Sequence, residues 1–141
     1  MLHRLTSTSS TWAAIPLRLA LGAAFIGHGA QKVLGSFGGP GLARFTSFPA
    51  PFTFMRPAAA WMGAAAISEL AAGLLVLLGL FTRIGAFLIV CVMLTVIIGL
   101  QWPRFFAPEG MELALAFLAI ALALMITGGG RASVDRLIAG R

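Results

Sequence analysis

Residues 57–81 read PAAAWMGAAAISELAAGLLVLLGLF, an apolar run whose single charge, Glu69, has twelve residues on either side. An α-helix needs about 20 mostly apolar residues to cross roughly 30 Å of hydrocarbon, and this run exceeds that length. Working outward, residues 84–103 and 113–130 carry no Asp, Glu, Lys or Arg, and their cores LIVCVMLTVIIGL and LALAFLAIALALMI are apolar on every side. Such all-round hydrophobicity marks membrane spans rather than amphipathic surface helices. Residues 13–34 form a fourth run, interrupted by Arg18, His28, Gln31 and Lys32. The reading is one all-α domain over residues 1–141: an integral-membrane antiparallel four-helix bundle with spans at about 13–34, 57–81, 84–103 and 113–130. The short joins at 79–83 and 104–112 make their neighbours antiparallel.

Composition agrees. Of 141 residues, 60% are hydrophobic and 10% charged, with a mean hydropathy of +0.99, where a soluble domain carries about 25% charged residues. The net charge of +6 comes from nine arginines and one lysine against four acids, but the arginines stand singly between apolar runs. That pattern excludes a nucleic-acid stripe and fits membrane edges. A single cysteine, Cys91, rules out an intrachain disulfide, a redox CxxC pair and a multi-cysteine metal site, and is read as a packing residue. The histidines, His3 and His28, do not form a haem pair with His3 in a short terminal tail. No metal site is expected.

Arg18 and Pro16 argue that the first run is a retained helix rather than a cleaved signal. With four spans both termini share a side. That side carries Arg4, Arg18, Arg83, Arg131, Arg136 and Arg141, against Lys32, Arg44, Arg56 and Arg104 opposite, so the positive-inside rule places the termini in the cytoplasm. The connection GSFGGPGLARFTSFPAPFTFMR at 35–56 holds Phe37, Phe45, Phe48, Phe52 and Phe54, five of eleven phenylalanines. It reads as an interfacial segment between the first two spans, either anchoring at the headgroups or acting as a lid over a cavity. Trp12, Trp61 and Trp102 sit near span ends as belt anchors.

Glu69 falls near the bilayer midplane, where an acid costs a few kcal/mol unless paired, protonated or hydrated. Its same-face neighbours Ala65, Ala66, Ala72 and Gly73 are small, and Ala60, Ala64, Ser68 and Ala72 form a second small row. Glu69 therefore points into the protein, against a closely packed helix. Aligning the first two spans at their centres puts Ala23 opposite Glu69, with Arg18 and His28 each about 8 Å away along the axis. The expected result is one polar network of Arg18, His28, Gln31, Lys32 and Glu69. Two purposes stay open: polar glue that sets helix register, or a His28–Glu69 proton-handling pair in a phenylalanine-rich pocket for a quinone or other lipophilic substrate.

RLALGAAFIGHGAQK (18–32), GSFGGPGLA (35–43), SELAAGLLVLLGLFTRIGA (68–86), FFAPEG (105–110) and GGRASVDR (129–136) resemble the successive motifs of the DoxX family of small four-helix membrane proteins. The resemblance runs from about 16 to 138, with Met111 standing where the family often has an aromatic residue. It implies a multi-pass protein of a bacterial cytoplasmic membrane, related to the small subunit of thiosulfate:quinone oxidoreductase. The resulting expectation is a membrane subunit of a redox or detoxification complex, with His28 and Glu69 as catalytic candidates and Arg18, Gln31, Lys32 and Phe37 as substrate-binding candidates. Quinone is the expected small molecule, with no covalently bound cofactor. The expected partners are the lipid bilayer and either a redox protein or a second copy of the chain. A non-catalytic anchor or assembly factor is the alternative, and a small-solute transporter a more distant one.

Overall fold

The computed structural model describes residues 6–139, and among these there is no strand. Four long helices dominate: α1 (Ala14–Leu34), α3 (Ala58–Leu78), α4 (Thr82–Val96, continued by a π turn at Ile97–Gln101) and α5 (Glu112–Thr127). Two short helices, α2 (Gly41–Phe45) and α6 (Val134–Ile138), lie in the first connection and the tail. Helices α3 and α4 with its π turn are long and apolar enough to cross a membrane, at 21 and 20 residues. Helix α5 is apolar but has 16 residues, a rise of about 24 Å. It stops at Thr127 because Gly128 turns the chain with φ +73° and starts the glycine run that carries the tail back onto the molecule.

Helix α1 packs most extensively on α3, α3 on α4, α4 on α5, and α1 also reaches α5. The α1–α3 pair is antiparallel and its register is set by glycine. A Cβ on Gly22 would sit 2.8 Å from Leu77, one on Gly29 would sit 2.5 Å from the Leu70 backbone, and one on Gly73 would sit 2.6 Å from the Ile26 nitrogen. Seven residues along α1 thus match seven along α3 in the opposite sense, two helical turns at backbone contact. Glu69 lies opposite Ala30, seven residues from the Ala23 that alignment of helix centres suggests, a slide of about 10 Å.

The core runs through Leu21, Phe25, Ala72, Val76, Ala86, Ile89, Ala121 and Leu124. Ala66 and Ala72 are fully buried and Gly73 is buried, whereas Ala60 and Ala64 of the second small row face outward. Cys91 is exposed, contrary to its reading as a packing residue. Ile89 and Met93 take the inward positions of α4, and two residues from either is about 200° around the helix. Trp12, Trp61 and Trp102 are also exposed.

At the end of the molecule where α3 meets α4, the segment before α1 is knitted to the segment after α5. Ser9 N–H donates to the Thr127 carbonyl and Arg131 N–H to the Thr11 carbonyl. The α3–α4 turn places Gly79 and Phe81 in left-handed conformations. Asp135, 1% exposed, accepts from Phe81 N–H (2.7 Å), Thr82 N–H (2.9 Å) and the Thr82 hydroxyl (2.7 Å). A tail carboxylate therefore does for α4 what an N-cap side chain does locally.

Candidate functional site

The opposite half of the molecule contains a cavity of about 190 Å³ between α1, α3, α4 and α5. Its polar lining is His28, Lys32, Glu69 and Gln101, and its apolar walls are Phe25, Met93, Val96, Leu113, Ala114 and Phe117. Phe25 and Phe117 meet edge to face, ring centres 5.8 Å apart. On α1 the lining positions 25, 28 and 32 follow helical spacing and trace one stripe.

Glu69, 3% exposed, is held by Lys32. The Lys32 ammonium donates to both carboxylate oxygens, 2.5 Å to Oε1 and closer to Oε2. The slide of α1 explains the partner: with Ala30 opposite Glu69, the last turn of α1 arrives at the carboxylate. Lys32 Nζ also lies 5.3 Å from the ring centre of Phe45 in α2. The phenylalanine-rich connection thus contributes one aromatic face to the cation, while Pro51 and Phe52 abut Gly99 in the π turn.

The expected five-residue network is divided. His28 shares the cavity with Lys32 and Glu69 but is exposed on its open side, and no hydrogen bond joins it to Glu69 among the described residues. Gln31 is half-buried beside that stripe and not in the lining; its backbone abuts Gly39. Phe37 is 82% exposed in a left-handed turn at φ +54° and stands outside the cavity. His3, with Arg4 and Arg141 of the charge comparison, lies outside the described residues.

Arg18 belongs to the other end. Its Nε donates to Val76 O (3.0 Å), Nη2 to Leu77 O (2.7 Å), and Nη1 to Gly129 O (2.9 Å) and Ala132 O (2.6 Å). Two of these acceptors are carbonyls in the last turn of α3, where a cation is favoured by the helix dipole; Val76 O accepts the Gly79 N–H as well. Arg18 is 6% exposed and ties three chain segments together rather than neutralising Glu69.

Two residues in these arrangements have weak sequence signals. Asp135 sits in a glycine- and serine-rich tail, where a carboxylate ordinarily reads as solvated. Gln101 is hidden by helical periodicity: from Met93, a regular helix brings Leu100 back to the inner face. The π turn is wider, so Leu100 is 52% exposed and Gln101 reaches the cavity instead.

Taken together, the all-helical fold, two helices of membrane-crossing length and a buried glutamate paired with a partly buried lysine at a mixed polar and apolar cavity define a membrane-type helical protein with an internal polar site. The DoxX family model matches residues 13–102, and the chain belongs to the DoxX family. The matched segment holds α1 to the π turn, and with it Lys32, Glu69, His28 and Gln101. No curated protein and no solved structure matches the chain.

Proposed function

We propose that the chain is the membrane subunit of a redox or detoxification complex and binds a quinone or similar lipophilic ring in the cavity beside Lys32 and Glu69. In this reading α1, α3, α4 and α5 form an antiparallel four-helix bundle across a bacterial cytoplasmic membrane. Both termini are cytoplasmic, and residues 35–56 lie at the opposite interface. Glu69 then falls near mid-membrane, where the pair with Lys32 offsets the cost of burying its charge.

One observation carries the proposal: a cavity of about 190 Å³ is lined by aromatic and aliphatic side chains together with His28, Lys32, Glu69 and Gln101. A cavity of about 150 Å³ is enough for a benzene ring, and an apolar pocket with a few convergent polar groups is the usual form of a small-molecule site. Quinone reduction to quinol consumes two electrons and two protons. His28, at the open side, and Glu69, at the inner side, are the groups able to exchange protons there. The electrons enter from a partner redox protein, since the chain has neither a cysteine cluster nor a dinucleotide fingerprint.

The test is equilibrium binding of a short-chain benzoquinone to the purified full chain in mild detergent. Wild type is expected to bind saturably, with affinity about tenfold weaker in His28→Phe or Glu69→Gln. The His28 side chain makes no hydrogen bond among the described residues, so its replacement should leave the fold intact and keep the test readable. Non-saturable partitioning, equal in all three proteins, would overturn the proposal.

A further inference from the structure

Among the residues that line the cavity, His28 on α1 and Leu113 on α5 are exposed, and all the others are buried or half-buried. The two helices that carry them are also the least extensively packed of the neighbouring long helices. Toward the Arg18 end their residues Leu21, Ala121 and Leu124 are fully buried, whereas at the level of the cavity each helix leaves one lining residue uncovered. Neither connection contributes to the wall. No residue of 35–56 or 104–112 lines the cavity, and α2 packs on α1 and α3 instead. The mouth therefore lies in the α1–α5 seam, between His28 and Leu113.

A mouth between two helices opens to the side of the bundle, which in the membrane reading is lipid. A lipophilic ring dissolved in the hydrocarbon reaches such a mouth without crossing the headgroups. The rims differ in chemistry: His28 offers ring nitrogens to a polar substituent, and Leu113 offers apolar surface. Beyond the rims, helical spacing continues the seam with Ala24 and Ala20 on α1 and with Ala116 and Ile120 on α5. None of these is charged, and the alanines leave room for a chain of methylenes. The cavity itself, at about 190 Å³, has room for a ring and not for a long chain besides. We infer that the cavity takes its ligand sideways from the bilayer through the α1–α5 seam, and that this ligand is a ring-bearing lipid whose aliphatic tail stays in the seam. This rests on the ring-binding reading of the cavity and adds the route of entry and the tail-bearing class of the ligand. Lipid is as apolar as the seam, so the tail contributes orientation rather than affinity.

The position of the tail is the readout. The probe is a fully substituted benzoquinone with a decyl tail that carries a photoreactive diazirine; full substitution keeps the ring from adding to the exposed Cys91. The full chain in lipid nanodiscs is photolysed with the probe, and labelled peptides are located by mass spectrometry. Labelling that excess diazirine-free quinone suppresses at least tenfold is expected on residues 20–28 of α1 and 113–120 of α5. A tryptophan then narrows the mouth. Leu113→Trp is expected to lower the suppressible labelling of α1 about tenfold, and Leu115→Trp, at an exposed position outside the lining, to leave it unchanged. Both leucines are exposed, so equal melting temperatures are expected and confirm that the variants fold. Suppressible labelling elsewhere or none, or α1 labelling that is the same in Leu113→Trp, overturns the inference and leaves the ring-binding proposal standing if a short-chain benzoquinone still binds saturably. Failure of both the tailed and the short-chain quinone to bind overturns both.

Discussion

Lys32, in the last turn of α1, donates from its ammonium to both carboxylate oxygens of Glu69 in the middle of α3. The pair joins the two most extensively packed helices at the edge of the cavity, so helix register and the chemistry of the site depend on the same contact.

That contact predicts a strong asymmetry between single and double variants. Removing one partner leaves an uncompensated charge in an apolar interior, so Lys32→Met or Glu69→Leu should each lower stability by about 2–4 kcal/mol. The double variant should recover at least half of the summed loss. Denaturation in mild detergent across the double-mutant cycle measures the coupling, and losses that simply add would show that the pair does not act as a unit.

The α1–α3 register is tested by two glycines on one helix. Gly29→Ala drives a methyl group to 2.5 Å from the Leu70 backbone, and the two helices must separate, at a cost of about 1–3 kcal/mol. Gly27→Ala meets nothing within 4 Å and should leave the melting temperature unchanged or slightly raised. Equal behaviour of the two variants would contradict the close approach.

Arg18 is expected to tolerate neither loss of charge nor replacement by lysine. An ammonium cannot reproduce a planar fork that reaches Val76, Leu77, Gly129 and Ala132 together. In Arg18→Lys and Arg18→Met the tail from residue 128 onward should be released from α3. Limited proteolysis should then cut it at least tenfold faster than in wild type, while quinone binding at the distant cavity is affected less than in Glu69→Gln. Unchanged cleavage would mean that the tail is held by other contacts.

Asp135 is expected to govern the start of α4. Asp135→Ala strands the amides of Phe81 and Thr82 and the Thr82 hydroxyl, with a cost of about 1–2 kcal/mol by analogy with a lost N-cap. Asp135→Asn, which keeps one acceptor oxygen, should lose less. Hydrogen exchange at Phe81 and Thr82 gives a local readout. Protection there that is the same in Asp135→Ala and wild type would refute the capping role.

Residue type along the chain was sufficient for the helical class, the membrane character and the family, because each follows from local hydrophobicity, its run length and ordered short motifs. It was also sufficient to send Glu69 inward, since the alanines and glycine around it offer a face that only another helix can use. Pairing was not legible in the same way. A sequence of two helices leaves their relative slide undetermined, and a slide of two turns decides whether Arg18 or Lys32 meets Glu69. Here Gly22, Gly29 and Gly73 settle it by permitting backbone contact at one register. Gln101 and Asp135 were hidden for related reasons. A π turn breaks the periodicity by which Leu100 would face inward, and a carboxylate in the tail finds its amides 53 and 54 residues away. Local pattern specifies which segments leave water, but the partners of the few buried polar groups depend on distances between segments, which only the packed chain defines.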